Sequence, residues 1–166
     1  CNWRHKLRLQ TSLTLSFATV IADEALRLGR ELDLLPLTVV VLNAGGQIVI
    51  VKSEDGSGIM RFDVAFGKAW GSLGMGISSR LIRDRLSSRP TFQNALSASS
   101  DGRLIPVPGG VLIETEGGTT IGAVGVTGDT SEKDEYCAIL GIKHAGFKSE
   151  PAEIDPDWQR SYLSDK

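Results

Sequence analysis

The chain has 166 residues, 41% hydrophobic and 23% charged, which suits one globular domain with its own core. A net charge of −2 and a pI near 5.7 give no whole-chain attraction for nucleic acid or an anionic membrane surface. Two cysteines, Cys1 and Cys137, do not make a disulfide framework, so a reducing, cytoplasmic compartment is expected. No apolar run reaches the roughly 18 residues a bilayer span needs, and "TSLTLSFATVIADEA" reads as an amphipathic helix rather than a secretory core.

In chain order, residues 12–32 predict a helix, with Leu13, Phe17, Ile21, Ala25, Leu28 and Leu32 recurring at spacings of three and four. Two Val/Ile-rich runs, 37–42 and 47–53, flank Asn43-Ala44-Gly45-Gly46 and predict a hairpin; the first strand is apolar throughout, as strands buried on both faces are, the second nearly as apolar, and a sheet covered on both sides by helices is implied. A helix is expected from Met60 to Met75, with Gly67, Gly71 and Gly74 inside it. Interior helical glycines cost about 1 kcal/mol each against Ala, so another backbone, a ligand or a subunit is expected to lie close. Ser78 can cap a short basic helix, and Pro90 starts another, with Phe92 and Leu96 expected to face inward. Strands follow at 110–115 and 119–127, then a helix near 131–146 that stops at Gly146. A fifth strand is sought in "GRLIPV". The expected division is a flexible segment 1–11, a domain 12–147 and a polar surface arm 148–166, in which Trp158 and Tyr162 can dock on this subunit or a neighbour.

The junction "GGTTIGAVGVTGDTSEKDEYCAILG", residues 117–141, runs strand–Gly–helix and invites comparison with a phosphate loop. Such a loop needs bare N–H groups at the helix start; here Asp129, Glu132, Asp134 and Glu135 crowd it and would repel a phosphate. Asp129 and Glu132 have capping-box spacing. Glu132 and Glu135 also form an E-x-x-E pair on one helical face, which keeps a hard-cation or iron site open beside the simpler reading of a cap with a solvated face.

Lys68, in "FGKAW", sits among apolar and small residues and is expected to be semi-buried, paired with a carboxylate such as Asp55 or Asp63. Arg61 is close enough in sequence to share that pocket. Arg80, Arg83, Arg85, Arg89 and Arg103 concentrate positive charge, either as a solvated face or as a pocket rim for an acidic ligand. His144, near the end of the last helix, suits the helix dipole as well as it suits a metal. One domain histidine and no G-x-S-x-G leave no nucleophilic triad, and no Cys/His spacing supports zinc.

Four stretches, "VVVLNAGGQIVIVKSEDG", "DVAFGKAWGSLGMG", "PVPGGVLIETEGGTTIGAVGVTGDTSEKDE" and "CAILGIKHAG", together resemble the GlcG/HbpS family. This is the haem-binding, "haem-degrading domain" group that includes the C-terminal domain of PduO-type proteins. The resemblance runs over about residues 12–147. It implies an α/β fold of profilin-like type, a three-layer α/β/α sandwich on a five-stranded antiparallel sheet, and homo-oligomers. It also implies haem as the possible cofactor, with a corrinoid or iron in some relatives. Two departures stand out. Asn43 replaces the usual Asp of the hairpin turn, and no histidine lies between Thr11 and Leu34, so the family's histidine on the N-terminal helix does not carry over.

The leading expectation is therefore a small-molecule-binding protein holding a planar or acidic ligand between the glycine-rich helix, the 54–61 loop and the PVPGG segment. Arg61, Lys68, Pro108, Gly109, Gly110 and Gly128 are its candidate lining residues. The alternative is a cofactor-independent isomerase or lyase in which Lys68 moves a proton with Asp55 or Glu135. A structural oligomer is the third reading.

Overall fold

A computed structural model describes residues 9–163; the start of the expected flexible segment 1–11, with Cys1 and His5, lies outside the described residues. The elements are α1 (Leu15–Glu31), β1 (Thr38–Asn43), β2 (Ile48–Ser53), α2 (Arg61–Met75), α3 (Ser79–Leu86), α4 (Pro90–Ser99), β3 (Gly110–Glu114), β4 (Thr120–Thr127), α5 (Ser131–His144) and β5 (Lys148–Glu150). The strands form one five-stranded sheet in the order β2-β1-β4-β3-β5, every neighbouring pair antiparallel.

Alternation along the strands builds two cores. Val39 and Val41 of β1 and Val124 and Val126 of β4 point to one face, where α1 and α5 bury Ile21, Ala25, Ile139 and Ile142. Val40, Leu42, Leu112 and Ala123 point to the other, under Ala65 and Ala69 of α2. The helix lies so near the sheet that a Cβ at Gly125 would drive into the Ala65 carbonyl. The result is the expected three-layer α/β/α sandwich.

β1 is buried on both faces, as its unbroken apolar run predicts. β2 is not: Ile48 is 49% and Val51 38% exposed. It is an edge strand, and α2 packs over β1, β4 and β3 without reaching its outer side. The fifth strand is a second correction. It is not "GRLIPV" but Lys148–Glu150, which pairs with β3 on the far edge. The expected arm thus contributes to the sheet, and beyond it Trp158 stacks on Tyr136 of α5 at 3.9 Å between ring centroids.

Ser78 caps α3 through its hydroxyl, which accepts from the Leu81 N–H. Pro90 begins α4. That helix buries none of its residues, and only Leu96 packs inward, against Ile82, Leu86 and Leu104. Phe92, expected inside, is 38% exposed and lies under the Arg89 guanidinium.

Candidate functional site

The strand–helix junction that resembles a phosphate loop is closed by its own side chains. Asp129 accepts from the Leu35 N–H at 3.0 Å and the Thr130 N–H at 2.9 Å. Asp134, four residues into α5, accepts from the Asp129 N–H at 3.0 Å. Two carboxylates thus take three N–H groups around the junction, those of Leu35, Asp129 and Thr130, and their charge would repel an external anion. The reciprocal Asp129–Glu132 box does not form, because Thr130 rather than Asp129 is the cap residue and Glu132 turns to Arg83.

Lys68 runs through the same place from the other side of the sheet. Its ammonium donates to the Val126 carbonyl at 2.9 Å and to Asp134 at 3.1 Å, and the residue is 1% exposed. Its partner is Asp134, not the expected Asp55 or Asp63, because the side chain points past the end of β4 toward α5 instead of back along its own helix. Asp55 is exposed in the loop after β2. Burial pushes the Asp134 carboxyl up to about 6, against the charges of Lys68 and Arg61, which lower it. Arg61 is anchored by a 3.0 Å bond to the Thr127 hydroxyl.

The PVPGG segment wraps the lysine. A Cβ at Gly109 would come within 2.8 Å of Lys68 Nζ, and one at Gly110 would strike the Lys68 carbonyl. Pro108, Gly109, Gly110 and Gly128 are all buried, and Gly128 packs on Pro36 and Leu37. These residues lie around one buried ion pair that ties α2, the end of β4 and α5 together.

Glu135 is also buried, on the next residue of α5. Its Oε1 accepts from Arg80 Nε at 2.9 Å and from the same guanidinium's terminal nitrogen, and burial raises its carboxyl above the usual range while Arg80 opposes the rise. Its Oε2 is buried without a hydrogen-bond partner. Glu132 lies 3.3 Å from Arg83. Each carboxylate of the E-x-x-E pair is therefore held by an arginine of α3. Among the described residues, no group of three or more His, Cys, Asp or Glu side chains converges to hold a metal.

Open concave surface lies on the outward side of α2. The three helical glycines divide in meaning there. A Cβ at Gly67 would enter the Arg103 carbonyl and one at Gly71 would meet Leu104, because segment 101–105 crosses the helix at these two positions. A Cβ at Gly74 would meet nothing within 4 Å. Gly74 and Trp70 stand where two clefts of about 210 Å³ each adjoin. One is completed by Met75, Leu96, Ser99 and Leu104, the other by Leu73 and the hairpin turn at Ala44–Gly46. The Arg103 guanidinium lies over the Trp70 ring at 4.3 Å.

Comparison with known proteins fits this architecture. The family model for "Haem degrading protein HbpS-like" matches residues 13–143. The chain belongs to the HbpS-like family. A PduOC–haem complex is similar at a TM-score of 0.75 and 19% identity, covering 83% of this chain and 98% of that one. The Klebsiella pneumoniae protein ORFY gives 0.75 at 22% identity, with coverages of 86% and 96%. A double mutant of Streptomyces reticuli HbpS gives 0.69 at 24% identity, covering 84% and 90%. At these identities the likeness shows the shared fold. Curated protein sequences give no significant match. No helix among the described residues is long and apolar enough to cross a membrane.

The site residues read from sequence are thus split. Lys68, Gly109 and Gly110 come together, with Arg61 anchored nearby, but in a closed interior; Asp55 and Glu135 join neither Lys68 nor each other. Of the residues that line open space, Gly74 belongs to the helical glycines beside which a ligand is one expectation from the sequence, while Trp70, Met75 and Leu96 are not expected as ligand contacts. Their one sequence signal was the glycine run, and which glycine faces a backbone and which faces solvent depends on a segment 30 residues away.

Proposed function

We propose that the protein binds a planar, acidic small molecule, of the haem-related kind named by its family, in the paired clefts around Trp70. The observation that carries this reading is the open space at Gly74, flanked by an indole and by apolar walls. Mostly apolar concave surface with a few polar groups is what small-molecule sites offer.

The residues present suit one part of a haem and not another. The Trp70 indole, the bare backbone at Gly74 and the Arg103 guanidinium on that indole suit a tetrapyrrole plane with carboxylate edges. An iron would find no matching donor: no histidine or cysteine lines either cleft, and Met75 carries the sole sulfur there. His144 is exposed at the end of α5, the helix layer on the opposite face of the sheet, and burial pushes the Cys137 thiol up to about 12. The residues fit the plane of the group and do not fit an imidazole- or thiolate-ligated iron. What the chain itself supplies is stacking, exclusion of water from the ligand face, and a guanidinium for an acidic edge.

Titration with hemin and with metal-free protoporphyrin IX tests the proposal. Both are expected to saturate, with dissociation constants within about threefold of each other, since the iron adds no strong bond. Gly74→Leu, which fills the junction of the clefts, is expected to abolish both. Retention of binding in Gly74→Leu, or hemin binding far tighter than the metal-free ring, would overturn it.

A further inference from the structure

Segment 101–105 divides the outer surface of α2. On the other side of this crossing from Gly74, toward the start of the helix, lies another hollow, of about 330 Å³. Its apolar part is made by Val64 and Phe66 of the helix and Ile105 of the segment, all half-buried, with the exposed Met60 at the start of the helix. Its exposed rim is charged, with Asp63 on the helix wall and Asp101 and Arg103 on the facing segment.

These charges are uncommitted. Arg103 uses only Nε, which donates to the Ser100 carbonyl at 3.0 Å, while its guanidinium plane rests on Trp70. Its two terminal nitrogens donate to no protein atom among the described residues, and the side chains of Asp63 and Asp101 accept no hydrogen bond and join no ion pair there. Two carboxylates and one guanidinium around an apolar floor leave one negative charge in excess. A simple anion would meet two repulsive groups, and a simple cation would leave the guanidinium unanswered. A molecule carrying both an ammonium and a carboxylate answers all three.

We infer that this hollow binds a free amino acid with an aromatic or branched apolar side chain. The side chain lies on Val64, Phe66 and Ile105, the ammonium between Asp63 and Asp101, and the carboxylate on Arg103. The volume is at the small end of the range for ligand pockets, about 300–1,000 Å³, which suits a single amino acid. Its apolar floor is separate from the clefts around Gly74, and Arg103, resting on Trp70 between them, is the one group that both sites would use.

Calorimetric titration with L-phenylalanine, phenethylamine and 3-phenylpropionate tests the inference, since the three share a ring and the last two each lack one charge. Phenylalanine is expected to saturate, and each analogue to bind about tenfold or more weakly. Arg103→Gln should bring phenylalanine down to the level of phenethylamine, and Asp63→Asn with Asp101→Asn to that of phenylpropionate. These side chains are exposed, so the variants should fold. Gly74→Leu should leave phenylalanine binding unchanged. No saturation up to about 10 mM, equal binding of the three compounds, or loss of phenylalanine binding in Gly74→Leu would each overturn the inference.

Discussion

The sheet-facing and outward sides of α2 differ in almost every respect although the same small residues recur on both. On the sheet side the helix sends Lys68 into a buried interior, where a carbonyl and a carboxylate accept from it and PVPGG is shaped around it. On the outward side Gly67 and Gly71 are covered by a crossing segment, but Gly74 is left facing space. A missing side chain is thus a packing device where a backbone arrives and a cavity where none does. A lysine in an apolar setting is not by itself a ligand anchor, since the protein's own acid can answer it.

The sharpest way to break this contrast is to remove one member of the buried pair. Asp134→Ala leaves the Lys68 ammonium without its counter-charge and is expected to cost about 3–5 kcal/mol in urea unfolding. Replacing both, as Lys68→Met with Asp134→Leu, should recover most of that loss. A single-variant cost below about 1 kcal/mol would mean that the pair is not buried as described.

The next effect is pH dependence. Burial favours the protonated Asp134 in the fold, so its contribution to stability is fully present below its unfolded value near 3.8 and is lost as pH rises through about 6. Two pKa units correspond to about 3 kcal/mol at most. The stability of the unaltered protein relative to Asp134→Asn should therefore fall between pH 4 and pH 7; a flat or rising difference would contradict the assignment.

Smaller effects sharpen the outward side. Gly67→Ala should destabilise by about 1–3 kcal/mol, because the Arg103 carbonyl has nowhere to go. Gly74→Ala should be neutral or stabilising by up to about 1 kcal/mol, since it gains helix propensity and touches nothing. Thermal melts of the two variants moving in the same direction would refute the distinction. Trp158→Ala should cost about 0.5–1.5 kcal/mol beyond lost burial if the stack on Tyr136 helps hold the tail.

Much of this fold was legible. An unbroken apolar run located β1, apolar residues recurring at helical spacing located α1 and α2, and the stop at Gly146 located α5, each to within a few residues, and the order of the four quoted stretches indicated the layers. What escaped was tertiary. β5 is only Lys148–Glu150, too short and too polar to carry an alternation signal, and it exists because β3 offers it an edge. β2 has the composition of a buried strand but occupies the rim, where neighbours rather than residues decide exposure. At the candidate site, the burial of Lys68 could be read from Phe66, Ala69 and Trp70 around it. Its partner could not, because Asp134 is 66 residues away and meets it only once α5 is folded across the sheet.

The short strand β5 also gives the tail a protective task. It shields one flank of β3, whose backbone groups would otherwise be free to recruit a foreign strand. A protein cut after Phe147 would keep both cores and every cleft around α2 yet carry an unguarded seam, open to self-association by edge-to-edge strand pairing.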